Sequence, residues 1–494
     1  MSNESKKPTS RELLLRNWIS LLGLLIAAAS FFAFVLLFAV DLFSHHGNPY
    51  MGILAYVVAP SFLVAGLMLI VAGAWLKLRQ ESRIQPGALA GMLTIDLLRP
   101  RDRKILGIFA LGSVAFLFLT ALGSYQTYHY TETVQFCGQA CHVPMDPEFV
   151  TAQHSPHARV DCVACHVGPG AVAYFKTKIN GVRQLYHTLA GDFDRPIRLT
   201  AAKQRPAQET CEQCHWPQKY TGSMERTLRH FLADEKNTPF TVRLLLNVGG
   251  GDPASGPVGG IHWHMNLGNK IEYISPDETR STIPWIRFTN EKGVVTEYRT
   301  PDFKGDPAKY PLRTMDCMDC HNRPSHHFRT PNDAVDHALA NGQISPKIPW
   351  VKAKVVEALI QPYATKAEAL QKIDAALRAD YPDRSDVGSI IAQAQTIYSA
   401  NFFPEMKADW RVHPDNLSHK ETNGCFRCHD GQHKAADGKT TVKASDCKSC
   451  HLILAQGSDE EVLKLNAKGY DFIHIDAEYS DFSCSDCHTG ATPK

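Results

Sequence analysis

All fourteen cysteines of this 494-residue chain fall into seven close pairs, and a histidine directly follows each pair. Six pairs are CxxCH: Cys162, Cys165 and His166; Cys211, Cys214 and His215; Cys317, Cys320 and His321; Cys425, Cys428 and His429; Cys447, Cys450 and His451; Cys484, Cys487 and His488. Two thiols about one turn apart can bond the two vinyl groups of a porphyrin, and the adjacent imidazole then reaches the iron from the same side. CxxCH is therefore the attachment site of a c-type haem. The seventh pair, Cys137 and Cys141 before His142, lies in FCGQACHVPM and carries one residue too many. Gly138 relaxes the backbone there, and Met145 stands close by as a rival to His142 for the iron. Methionine ligation raises a haem potential above the bis-histidine value. Structural zinc places no demand on the residue after the second cysteine, and a disulfide across two residues closes a small strained loop. Neither explains seven histidines, so seven covalently attached haem c groups are expected.

Second axial ligands need further histidines, and 16 of the 23 lie outside the motifs. His154 and His157 precede the second motif, His326 and His327 follow His321, His419 precedes Cys425, His433 follows His429 and His474 precedes Cys484. His187, His262 and His264 are further candidates.

The elements that must position these groups begin with three apolar runs. Residues 18–43, 51–76 and 105–124 are each long enough, or nearly so, to cross a hydrocarbon core of roughly 30 Å, and all three read as transmembrane helices. The first is too long for a signal-peptide core and lacks a small-residue cleavage site, so it reads as retained. Lys6, Lys7, Arg11 and Arg16 precede the first run, and Lys77, Arg79, Arg83, Arg99, Arg101, Arg103 and Lys104 separate the second from the third. Residues 41–50 carry no Lys or Arg, so residues 1–17 and 77–104 are expected in the cytoplasm and everything after the third run outside it. That outer part holds 41 basic and 44 acidic residues, a formal charge of −3, which together with the lack of a basic stripe speaks against nucleic acid.

Two long gaps between motifs organise the outer part. The first contains TVRLLLNV, KIEYIS, TIPWIRFT and GVVTEYRT, β-rich runs that predict a small sheet insertion over about 225–300. The second, 331–410, reads helical, with a capping box at Thr365 and Glu368, an apolar face at Leu370, Ile373 and Leu377, and another at Ile390, Ala394, Ile397 and Tyr398. Neither shows a nucleophile triad, phosphate loop or metalloprotease helix. Residues 411–494 hold the last three motifs. The fold class expected is a membrane-anchored multihaem cytochrome c. Three N-terminal transmembrane helices precede a haem-packed, mostly irregular and α-helical periplasmic domain with a small β insertion.

The stretch FCGQACHVPMDPEFVTAQHSPHARVDCVACHVGPG, then KINGVRQLYHTLAG, CEQCHWP and CMDCHNRPSHHF, resembles the NapC/NirT/NrfH membrane quinol dehydrogenases over roughly residues 105–330. The resemblance implies a tetrahaem-type domain over 125–330. It also implies a first haem that faces quinol, with His142 or Met145 on its iron, and His187 as distal ligand to a neighbouring haem. Menaquinol would be the donor, drawn from the membrane pool, and periplasmic c-type cytochromes the acceptors, in respiratory or extracellular electron transfer at the inner membrane. Family members place a lysine and a carboxylate near the quinol. Lys178 fits the first, but six residues on stands Gln184, whose amide cannot take a proton as a carboxylate does. Either Glu132, Asp146 or Glu148 takes that role, or water does, or the quinol site differs. Two other functions stay open on the residues: a terminal reductase with an open iron position, and an electron reservoir without quinol chemistry.

Overall fold

A helix that is apolar on every side has no face to show water, and three such helices build the first part of the molecule. The computed structural model describes residues 18–43, 54–84, 99–167, 171–197, 205–216, 219–250, 259–266, 268–442, 447–458, 460–474 and 483–491. The chain divides into two units, residues 1–140 and 141–494.

In the first unit, α1 spans Trp18–Phe43, α2 spans Ala59–Ile84 after a π-helical turn at Leu54–Val58, and α3 spans Pro100–Thr131. Each is long and apolar enough to cross a membrane. Small residues let α1 and α2 touch backbone to backbone: a Cβ on Gly23 would lie 2.6 Å from the Gly66 carbonyl oxygen, and one on Gly66 would lie 2.7 Å from the Ala27 nitrogen. Ser20 Oγ donates to the Ile70 carbonyl at 3.3 Å, and the Phe34 ring meets Phe116 edge-on at 5.2 Å. The helix α3 is longer than the apolar run 105–124 predicts. Pro100 starts it, where a missing N–H does no harm, and it continues through Tyr125, Tyr128 and Tyr130, amphipathic rings suited to a membrane surface. Likewise α2 runs on past residue 76 to Ile84; residues 51–53 lie outside the described ones. A short helix, α4 (Val134–Gln139), is capped by Thr133, whose Oγ1 accepts from the Phe136 amide at 3.2 Å.

The second unit opens with α5 (His142–Gln153) and α6 (Ala171–Ala190). Its apolar core gathers around α7 (Pro331–Ala340), α8 (Val351–Leu359), α9 (Lys366–Asp380) and α10 (Val387–Asn401). Ile373, Leu377, Ile390, Ala394, Ile397 and Tyr398 are buried, as their helical spacing predicts, while Leu370 is half-buried. Thr365 Oγ1 accepts from the Glu368 amide at 3.1 Å, and the Glu368 carboxylate accepts from the Ala364 amide at 2.8 Å, one residue before the partner that the capping box predicts.

The β residues form two antiparallel sheets rather than one insertion. Strands β1 (Met224–Phe231), β2 (Pro239–Leu246) and β8 (His451–Gly457) make the first, in that order. The second has the order β6-β3-β4-β5-β7, from β3 (Lys270–Ile274), β4 (Trp285–Thr289), β5 (Val295–Arg299), β6 (Leu312–Thr314) and β7 (Lys434–Ala435). Both sheets are completed by strands from the C-terminal part of the chain. That part is therefore stitched into the insertion by backbone hydrogen bonds, a long-range pairing that strand propensity alone does not reveal.

Candidate metal centres

Where a CxxCH motif is described, the chain makes one tight helical turn. The histidine amide donates back to the first cysteine carbonyl at 2.8 Å in His215, His321 and His488 and at 3.0 Å in His429. This bond carries the imidazole to the side of the turn where the sulfurs lie, which is why the spacing recurs. The first motif departs from it. Cys137 lies in α4, Cys141 caps α5 and His142 is the first residue of α5, so the added residue divides the motif between two helices.

Six motif histidines each face a second imidazole. Ring centroids are 6.2 Å apart for His166 and His326, 6.0 Å for His215 and His157, 6.4 Å for His321 and His262, and 5.8 Å for His429 and His264. The pair His451 and His419 stands at 6.2 Å, and His488 and His474 at 6.1 Å. Metal–imidazole bonds of about 2 Å on either side of one iron put ring centroids roughly 6 Å apart, so the six pairs fit bis-histidine haem. Four partner rings are oriented by a hydrogen bond at the far nitrogen. Nδ1 of His157 donates to the Pro324 carbonyl at 3.1 Å, of His326 to Glu148 at 3.0 Å, of His262 to Val248 at 3.1 Å and of His264 to Ile261 at 2.7 Å. A proton held at Nδ1 leaves the Nε2 lone pair for a metal. Burial also lowers the pKa of His166, His262, His264, His321, His326, His419, His451 and His488, favouring the neutral form that ligates.

Other predicted ligands are placed differently. His433 is fully buried, with Nδ1 2.8 Å from the Asp430 carboxylate and Nε2 2.7 Å from the Ile283 carbonyl, so both ring nitrogens already have protein partners. His327 Nε2 lies 3.4 Å from Asp415, His187 Nδ1 lies 3.7 Å from Asp192, and His154 is exposed at the end of α5. Met145 is half-buried on α5, its amide donating to the Cys141 carbonyl at 3.1 Å.

From the second motif to the fifth, consecutive motifs are neighbours. Cys165 lies near Cys211 and Cys214, Cys211 near Cys317, and Cys320 near Cys425. Asn247 at the end of β2 binds the sixth motif, its amide donating to the Cys450 carbonyl at 2.8 Å. Ser485 Oγ of the seventh donates to Asn423 Oδ1 at 2.7 Å, two residues before Cys425. Sequence reasoning missed two side chains inside these motifs, Asp319 and Arg427, which are buried and bridge one turn to the next. A charged residue between motif cysteines was the available signal.

The proton-acceptor candidates are spread out. Glu132 caps the end of α3, Asp146 lies 3.9 Å from Lys366 Nζ, and Glu148 is held by burial above the usual carboxylate range, offset in part by Arg323 and His166. Lys178 is half-buried and Gln184 exposed, both on α6.

Residues 99–210 match the NapC/NirT cytochrome c family, N-terminal region. The chain is also 38% identical to the cytochrome c-type protein ImcH of Geobacter sulfurreducens, over 96% of this chain and 95% of that protein. No solved structure matches it. The three apolar helices, the thiol–imidazole motifs and these similarities agree on a membrane multihaem cytochrome with covalently bound haem c, working in electron transport. The chain belongs to the NapC/NirT family of c-type cytochromes.

Proposed function

We propose that this cytochrome oxidises menaquinol at the outer face of the inner membrane and delivers electrons, through seven covalently attached haems, to soluble periplasmic c-type cytochromes. The observation that carries the reading is the set of six imidazole pairs, attached to motifs that adjoin one another in chain order from the second to the fifth. Bound haem supplies one-electron steps between ferric and ferrous iron, which suits a two-electron donor emptied in two stages. The protein residues supply ligation and orientation: fourteen thioether cysteines, the motif histidines His142, His166, His215, His321, His429, His451 and His488, and the partner rings His157, His262, His264, His326, His419 and His474. The first motif follows α3 within a few residues, which supports a site near the membrane surface with His142 or Met145 as the ligand to its iron. Paired imidazoles at the other six favour electron relay over an open reductase position.

Quinol oxidation also releases two protons. Glu132, Asp146 and Glu148 are the candidate acceptors, burial raising the pKa of Glu148, with Lys178 and Gln184 on α6 as candidate orienting groups. The basic segments 1–17 and 77–104 support this orientation, with the cytoplasm on the other side of the bilayer. The test is reduction of the purified, detergent-solubilised chain by a menaquinol analogue, with a pyridine-haemochrome count. Seven haems reduced, and a block by a quinone-site inhibitor, are expected; a full count with no reduction would overturn the quinol step.

A further inference from the structure

Two of the six partner imidazoles share a single strut. His262 and His264 lie on the turn Ile261–Met265 with only Trp263 between them, and one faces His321 while the other faces His429. We propose that His262 and His264 are the sixth ligands of two adjacent haem irons, those attached at Cys317/Cys320 and Cys425/Cys428. On this proposal one three-residue segment joins the family-like part of the chain to its C-terminal extension. It rests on the reading that these motifs carry haem.

The turn has the right geometry for two divergent ligands. It is a 3₁₀ turn, in which successive side chains rotate by about 120°, so residues two apart point in different directions. Each ring is locked separately, His262 Nδ1 on the Val248 carbonyl and His264 Nδ1 on the Ile261 carbonyl, which leaves both Nε2 atoms for metal. Trp263 packs on Phe288 of β4 at 5.4 Å and fastens the strut to the second sheet.

An independent set of contacts joins the two motifs from their cysteine side. Asp319 stands between Cys317 and Cys320, and Arg427 between Cys425 and Cys428. Arg427 donates to the Asp319 carbonyl at 2.7 Å and to the Arg280 carbonyl at 2.9 Å. The Asp319 carboxylate in turn accepts from Arg280 and Arg313, each at 2.6 Å, and from the Tyr273 hydroxyl. Two motifs far apart in sequence are thus held both by their cysteine turns and by their partner imidazoles. A buried ionic network of this kind fixes one arrangement more than it adds stability. Because both partner rings ride on one turn, a change at either is felt at both centres.

The experiment uses the full chain in detergent with His262→Met and His264→Met, and His337→Met on the exposed face of α7 as control. Each of the first two variants is expected to keep the native haem count, raise one component of the potential titration, shift a second component by less, and gain the far-red absorption of methionine-bound ferric haem. The control should match the native titration. Unchanged titrations and spectra in both ligand variants at full haem count would overturn the proposal. Should the methionine variants fail to assemble, His264→Gly purified in imidazole decides. Conversion of one iron to high spin on removing the imidazole supports the assignment, and no conversion overturns it. Quinol chemistry is not read here, so its failure leaves this assignment standing, whereas a deficient haem count would sink the broader reading first.

Discussion

The helices between residues 331 and 401 and the turns that carry the motifs are built on opposite principles. In α7 to α10 the contacts are apolar and mutual: Val335, Val351, Val355, Ile373, Leu377 and Ile390 are buried against one another. Around the motifs the turns are only three to five residues long and are fixed by polar groups, such as Arg205 on the Val167 carbonyl at 3.0 Å and the capping boxes of Asp316 and Ser483. Side chains alone give the first region a core. The second has polar scaffolding, and on the function proposed above covalently attached porphyrin would supply its apolar mass, coupling attachment to folding there.

The largest break in this contrast is the loss of a haem. Cys317→Ala with Cys320→Ala should lower the mass by one haem and open the surrounding turns to limited proteolysis, while fragments spanning 331–401 stay protected. Uniform digestion of both regions would erase the distinction. Next comes a cavity in the helical region. Leu377→Ala should destabilise it by about 2–5 kcal/mol, seen as a lower melting temperature, with the haem count and visible spectrum unaltered. A spectral change would mean that the two regions share one core.

The smallest effect is electrostatic. Burial raises the Glu148 pKa above its ordinary 4.5, so the fold disfavours the charged form. The penalty is absent below the unfolded value, grows as pH rises past it and is complete above the folded value. Glu148→Gln should therefore gain melting temperature relative to the native chain as pH is raised from about 4 to 8, while menaquinol-dependent reduction slows. A pH-independent difference in melting temperature would remove the burial argument.

Much of this was legible because it is local. Thiol spacing, the apolar runs, the Thr365 cap and the 3.6-residue spacing of Ile373 and Leu377 depend on residues within a turn or two of each other. Proximity in sequence misled where the contact is distant. His326 follows His321 closely yet faces His166, and His433 follows His429 yet has both nitrogens occupied. Strand β8 begins at a motif histidine and completes a sheet begun two hundred residues earlier, which no local pattern announces.

The amino-acid sequence by itself determined which groups can bond a porphyrin and which segments can enter lipid, because both follow from the spacing and hydropathy of neighbouring residues. Only the tertiary structure decided which imidazole stands across from which motif and that His262 and His264 share one turn. Those pairings arise where remote segments pack together, and their geometry is a property of the packing rather than of any one stretch of chain.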